Sequence, residues 1–271
     1  MESVNTPLDL VGRNVGPVEV AVVADRVAQY VEATGADPAT WTEEAPPGFA
    51  SVLLFAAADE FLYHPDVIDY TATLLHLDQS FTYVAPIRVG SAVRVEGTVA
   101  RVRERAGSYF VTFDAYASDD RGLVMESRST FILSDRTAPR PEAIRTEPPV
   151  HERAQNLGNE RSASRYDLVR YAAATRDFNP LHWDHEFAVD SGLSGTVVHG
   201  LLMYAWMVQQ ASDASGGRRV VSAKIRFRSA LHPGQQATIS ASVSDDSVSV
   251  TLFCGDDRLV TGSMTLAPQG T

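Results

Sequence analysis

The sequence predicts an α+β protein made of two tandem copies of one unit, each an antiparallel sheet wrapped around a central helix. Three observations carry this. The 271 residues contain a degenerate internal repeat. Each copy holds a segment that is apolar nearly all round, followed by runs that alternate apolar and polar. A proline-rich stretch, SDRTAPRPEAIRTEPPVHERAQNLGNE, separates the copies and lacks apolar periodicity.

In the first copy RVAQYVEATGADPATW leads into APPGFASVLLFAAADEF; in the second DLVRYAAATRDFNPLHW leads into TVVHGLLMYAWMVQQAS. Tyr30 then corresponds to Tyr171, Thr34 to Thr175, Trp41 to Trp183 and Gly48 to Gly200. The short helix of the second copy has a capping box, with Ser164 at the N-cap and Asp167 three residues on, and Leu168, Tyr171, Ala172 and Thr175 follow at helical spacing. GLLMYAWMVQQAS and GFASVLLFAAADEF are apolar on every side, as a buried helix must be. Further on, FTYVAPIRVGSAVRVEGTV matches IRFRSALHPGQQATISASV, with Gly90 over Gly234. TVARVRERAGSYFVTFDAYAS and LVMESRSTFIL alternate as strands with one wet face.

A long antiparallel sheet around one buried helix is the hotdog arrangement, and such units pair sheet edge to sheet edge. The expectation is a double hotdog: residues 1–135 as an N-terminal hotdog, 136–160 as linker and 161–271 as a C-terminal hotdog, joined as an intramolecular pseudo-dimer. Whether the chain also forms a homodimer is open at this point.

Composition narrows the function classes. With 44% hydrophobic and 21% charged residues the chain reads as globular. A formal charge of −11 disfavours nucleic acid or an anionic membrane as a bulk partner, while leaving room for a local basic patch that holds a phosphate. The single cysteine, Cys254, cannot form an internal disulfide, and VSVTLFCGD reads as a core strand. The start MESVNTPLDL lacks the basic and apolar regions of a signal peptide, and no apolar run reaches about 20 residues. The expected location is the cytoplasm.

The chemistry concentrates in YAAATRDFNPLHWD and the following VVHGLLM. Taken singly, Asp177 reads as a turn residue, Asn179-Pro180 as an ordinary turn and His182 as a surface histidine. Taken together they resemble the signature of the MaoC-like (R)-specific enoyl-thioester hydratases and dehydratases, Y-A-x-x-(S/T)-x-D-x-N-P-x-H-x-D followed by a His-Gly that opens the hotdog helix. The tight match covers about 40 residues, and the two-copy layout resembles the fused double-hotdog members along the whole chain.

That resemblance implies that Asp177 and His182 are the catalytic pair, holding a water and exchanging protons with it during syn addition to a 2-enoyl-CoA, to give a (3R)-3-hydroxyacyl-CoA, or during the reverse dehydration. Hydration needs a group that takes a proton from water, one that delivers a proton to the α-carbon and a stabiliser of the enolate oxygen. Asp177 and His182 sit on one irregular loop that can aim both side chains at one water. Asn179 reads as a support of that loop and Pro180 stiffens it. Gly200 opens the buried helix, where free N–H groups favour a developing negative oxygen and the missing Cβ lets a thioester carbonyl approach. His199 reads as a structural hydrogen-bonding residue at the helix start, and Asp184, His185 and Glu186 as a solvated one. A metal site of His182, Asp184, His185 and His199 fits no H-E-x-x-H spacing; neither metal nor cofactor is expected beyond coenzyme A or acyl carrier protein as carrier of the substrate.

The first copy has TGADPATW in place of TRDFNPLHW and Pro47-Gly48 in place of His199-Gly200. It reads as a hotdog without the catalytic loop that shapes the acyl pocket, to which His76 and Gln79 are the candidate polar contributors; an ordinary role at a strand start is the other reading. Arg218, Arg219, Lys224, Arg226 and Arg228 are candidates to grip the carrier, with Lys224, Arg226 and Arg228 on one strand face; a plain solvated face is the alternative. The competing functions are a (3R)-hydroxyacyl-ACP dehydratase of fatty acid or polyketide synthesis, a hotdog thioesterase and a non-catalytic acyl-thioester-binding protein.

Overall fold

Two helices with no polar face set the architecture. In the computed structural model, which describes residues 6–64, 67, 74–134 and 158–268, these are α2 (Ala50–Leu62) and α5 (Gly200–Ala214). Buried residues run round both, from Ala50 to Phe55 in α2 and from Leu201 to Val208 in α5. A helix of this kind is stable only when wrapped on all sides.

The wrapping is one sheet. The first half contributes β1 (Asn14–Ala21), β2 (Leu75–Tyr83), β3 (Ala92–Arg105), β4 (Ser108–Asp119) and β5 (Gly122–Ser134); the second contributes β6 (Glu160–Arg161), β7 (Val220–Phe227), β8 (Ala237–Ser244), β9 (Ser247–Cys254) and β10 (Asp257–Leu266). The ten strands lie in the order β1-β3-β4-β5-β2-β7-β10-β9-β8-β6, a palindrome of topology about the β2–β7 contact. There Asp78 faces Arg226, Ser80 faces Lys224 and Thr82 faces Ser222 in antiparallel register. This is the double hotdog, its halves fused through their edge strands so that neither inner edge is left unpaired.

On the open side, α1 (Ala24–Thr34) packs on α3 (Arg165–Thr175). Tyr30 and Tyr171, matched by the repeat, meet with ring centroids 6.1 Å apart, and Arg170 pairs with Glu32. The capping box forms as expected: Ser164 Oγ accepts from Asp167 N at 3.3 Å and the Asp167 carboxylate accepts from Ser164 N at 2.8 Å. Short helix α4 (His185–Asp190) is capped by Asp184, whose Oδ1 accepts from Phe187 N at 3.0 Å.

The sequence reading missed the outer edge strands. β1 contains Gly16-Pro17 and a bulge between Val15 and Val18, and β6 is two residues long, so neither shows alternation. Proline is tolerated there because an outer edge leaves one row of N–H groups unpaired. Cys254 ends β9 only partly buried, so it is not the core thiol expected. Most of the expected linker lies outside the described residues.

Candidate active site

The loop between α3 and α4 is built twice, and comparing the copies separates scaffold from chemistry. Each copy leaves its helix through a residue in left-handed conformation, Gly35 at φ +68° and Arg176 at φ +66°. Each then enters a single 3-10 turn whose N-cap side chain accepts from the backbone two residues on. In the first copy Asp37 accepts from Ala39 N at 2.9 Å; in the second Asn179 accepts from Leu181 N at 3.1 Å. Asn179 is therefore the counterpart of Asp37, and an Asx-Pro cap belongs to the fold. Thr40 occupies the place of His182, and nothing in the first copy matches Asp177.

Asp177 and His182 come together in the second copy. The His182 ring bonds through Nδ1 to the Val197 carbonyl at 2.8 Å; since a carbonyl only accepts, the proton sits on Nδ1 and the Nε2 lone pair is free. That Nε2 lies 4.0 Å from Asp177 Oδ2. Both side chains are about nine-tenths buried, at 11% and 9% exposure. Burial raises the Asp177 carboxyl above the usual range, opposed by His182 and by the Asn179 N–H, which reaches Oδ1 at 3.4 Å. Asn179 also donates to the Leu74 carbonyl at 3.4 Å, tying the loop to the first half.

His199, fully buried, stacks on His182 with centroids 3.6 Å apart and donates from Nε2 to the Asp177 carbonyl at 3.2 Å. Burial holds its pKa well below the ordinary histidine value, and His182 adds to the effect, so it is neutral. It pins the main chain of Asp177, the structural role expected of it. Asp177, His182 and His199 each offer a donor atom within 4.8 Å of the others. Stacked rings this close keep their in-plane lone pairs in separate, nearly parallel planes, however, whereas zinc needs each nitrogen aimed at it from about 2.0–2.1 Å. The arrangement fits two imidazoles holding a loop better than a metal.

Asp177, Asn179 and His182 line a cavity of about 340 Å³ together with Gly200, the first residue of α5. A Cβ on Gly200 would lie 3.1 Å from Phe227 Cε1, so glycine keeps the wall open beside the unbonded N–H groups of the helix start. Phe55, Leu74, Leu77 and Phe131 bring the first half into the same cavity.

The remaining candidates divide. His76 lines the cavity. Gln79 does not: it lies on the same inner face, where it donates to Ser127 Oγ at 2.8 Å and accepts from Ser129 Oγ at 2.6 Å. Arg228 lies at the cavity, while Lys224 and Arg226 line a separate groove on the outer face of the sheet, with Arg226 3.4 Å from Asp78. Strand alternation puts Lys224 and Arg226 outside, since Ala223, Ile225 and Phe227 take the inner face, whereas Arg228 lies past the end of β7. Arg218 is consumed internally by Asp246 and the Ala267 carbonyl. Arg219 borders a second cavity of about 230 Å³ with Thr34, Trp41 and Gly48, the counterpart of the first under the pseudo-twofold.

One group escaped the sequence reading. Asp59 on α2 has a buried Oδ1 without a hydrogen-bond partner; burial, then the Asp177 charge, push its pKa up to about 7 against the pull of Arg176. Its sequence context, an apolar helix, gave no sign of a neighbour from the other half.

Residues 146–258 match the MaoC like domain, and residues 9–127 match the FAS1-like dehydratase domain region. The chain belongs to the MaoC-like dehydratase family. It is 30% identical over 131 residues to a UPF0336 protein of Streptomyces griseus, covering 48% of this chain and 87% of that one. It is 34% identical over 80 residues to the mitochondrial 3-hydroxyacyl-[acyl-carrier-protein] dehydratase of Arabidopsis thaliana, covering 30% of this chain and 48% of that one. A solved MaoC-like dehydratase superposes with a TM-score of 0.77 at 21% identity, over 96% of this chain and 99% of the other. No helix among the described residues is long and apolar enough to cross a membrane.

Proposed function

We propose that the protein adds water reversibly across the double bond of 2-enoyl-CoA to give (3R)-3-hydroxyacyl-CoA. The observation that carries this is the 4.0 Å gap between Asp177 Oδ2 and the unprotonated His182 Nε2. A water donating to two acceptors at about 2.8 Å each spans about 4.4 Å between them. One water therefore fits between the pair, with its lone pairs directed to the cavity.

In the forward direction the water oxygen bonds to the β-carbon as its proton passes to the pair. The π electrons move onto the α-carbon and thioester carbonyl, and the pair returns a proton to the α-carbon from the same side. The two groups share one water, so the roles belong to the pair. The Gly200 N–H at the start of α5 faces the developing enolate oxygen, where the helix dipole favours negative charge. The (3R) outcome follows from the family likeness. Coenzyme A is the proposed carrier, its phosphates near Arg228 at the mouth; no other cofactor is required. The first hotdog, with Thr40 and Pro47 in place of His182 and His199, is proposed to shape the pocket without its own chemistry.

Loss of enoyl absorbance with crotonyl-CoA tests this, with product configuration read by an (S)-specific 3-hydroxyacyl-CoA dehydrogenase that should ignore it. If the protein and its Asp177→Asn variant are equally inactive on a panel of enoyl-CoA and enoyl-ACP substrates, the reading is wrong. Selective turnover of the enoyl-ACP substrates would support the carrier-protein dehydratase instead.

A further inference from the structure

His76 stands out within the cavity. Its ring lies between Phe131 and Phe227, at centroid distances of 4.7 Å and 5.2 Å, and its Nε2 is buried without a hydrogen-bond partner. The ring is held from its other side by the Asp78 backbone and the Gln79 side chain. The bond to the Asp78 backbone favours the charged ring, so the ring donates in it, and with Nε2 unpartnered the proton is on Nδ1 and Nε2 presents a lone pair. Burial lowers the pKa to about 4, and the ring is neutral under ordinary conditions.

Two features argue against an incidental placement. His76 pairs with Phe131 on the inner face of the sheet, and a bulge at Leu77, which β7 repeats at Val221, brings Leu75, His76 and Leu77 to the cavity together. The repeat supplies a comparison: the alignment that sets Gly90 over Gly234 sets His76 over Val220, which opens β7 and lines the counterpart cavity. The fold accepts an aliphatic residue there. Everything else the first half brings to the site, including Phe55, Leu74 and Ile132, is apolar. An unmet acceptor in such surroundings is costly unless a ligand donates to it.

We propose that His76 determines substrate specificity by accepting a hydrogen bond from a hydroxyl on the acyl chain, so that the preferred substrates are thioesters of hydroxylated chains. This rests on the thioester reading above, and the test separates the two. Binding of saturated, unreactive hexanoyl-CoA is compared by calorimetry with that of its isomers hydroxylated beyond C3. At least one isomer should bind the wild-type protein about tenfold more tightly than hexanoyl-CoA, the size of one hydrogen bond to a buried acceptor. His76→Val should remove the preference, and His76→Gln, which keeps an acceptor, should retain part of it.

No preference in the wild type overturns the proposal, as does a preference that survives in His76→Val; the wild-type comparison stands whether or not the variants fold. Crotonyl-CoA turnover is measured beside it. A hydroxyl preference without turnover removes the hydratase reading and leaves His76 in its role. Failure to bind any of these thioesters removes both.

Discussion

Replacing His182 by threonine imposes on the second loop the residue that the first carries at Thr40. The backbone can take it: both loops use the same Asx-Pro 3-10 turn, capped at 2.9 Å by Asp37 and 3.1 Å by Asn179. The variant loses the 2.8 Å bond to Val197 and the 3.6 Å ring stack on His199. A net hydrogen bond contributes about 0.5–1.5 kcal/mol and a ring pair a similar amount, so the stability cost is about 1–3 kcal/mol. The functional loss is larger, because a positioned acid–base group contributes about 10²- to 10⁴-fold. Crotonyl-CoA hydration by His182→Thr should therefore fall in kcat by that factor with KM little changed, while thermal unfolding still shows a folded protein. A variant that keeps more than a tenth of the wild-type kcat would refute the assignment of His182 to the chemistry. Complete unfolding would refute the claim that the loop scaffold is independent of it.

Arg176→Gly places glycine where the first copy already has it, at a left-handed φ of +66°, and should raise stability by about 1 kcal/mol in denaturant melts; an unchanged or lowered midpoint would mean the guanidinium beside Asp59 contributes more than the backbone strain costs. Gly200→Ala puts a methyl 3.1 Å from Phe227 and on the cavity wall, and should lower kcat/KM for crotonyl-CoA by about 10- to 100-fold with a stability change near 1 kcal/mol. Asp59→Asn probes a carboxyl raised from 3.8 to about 7. A raised carboxyl costs stability as pH climbs from its unfolded to its folded pKa, so the variant should gain about 2–4 kcal/mol over wild type at pH 8 and almost nothing at pH 4. Urea melts at the two pH values that show equal gains would contradict it.

The internal repeat is why so much of the fold was legible. Alternation in β3 to β5 and the all-round apolar character of α2 and α5 follow from burial on one face or on every face, and both are written in residue type. The edge strands β1 and β6 were invisible because edges relax that pattern. The proposed catalytic pair, Asp177 and His182, could be singled out in the sequence, since polar residues that the other copy lacks stand out against it. Asn179, read as a support of the loop, caps its turn and bonds to the Leu74 carbonyl. It differs in name from Asp37, and only the matching cap bonds show that the two do one job. Asp59 was not legible, for its surroundings depend on packing between the halves.

The repeat also shows what fusion makes available. A symmetric hotdog dimer has two identical cavities, each walled by a loop from one copy and a strand start from the other, and any side chain placed in one appears in both. Here the strand starts have diverged with the loops they face. Opposite Asp177 and His182 the first half supplies Leu75, His76 and Leu77, an apolar wall with one acceptor. Opposite the silent loop the second half supplies Arg218, Arg219 and Val220, and Arg218 is spent on Asp246 and the Ala267 carbonyl. Such a pairing of charges would have desolvated poorly in a working acyl pocket, where burying a cation without a full set of partners is expensive. The two strand starts thus differ in the way the two loops do: apolar around one histidine opposite Asp177 and His182, charged opposite the loop that lacks them.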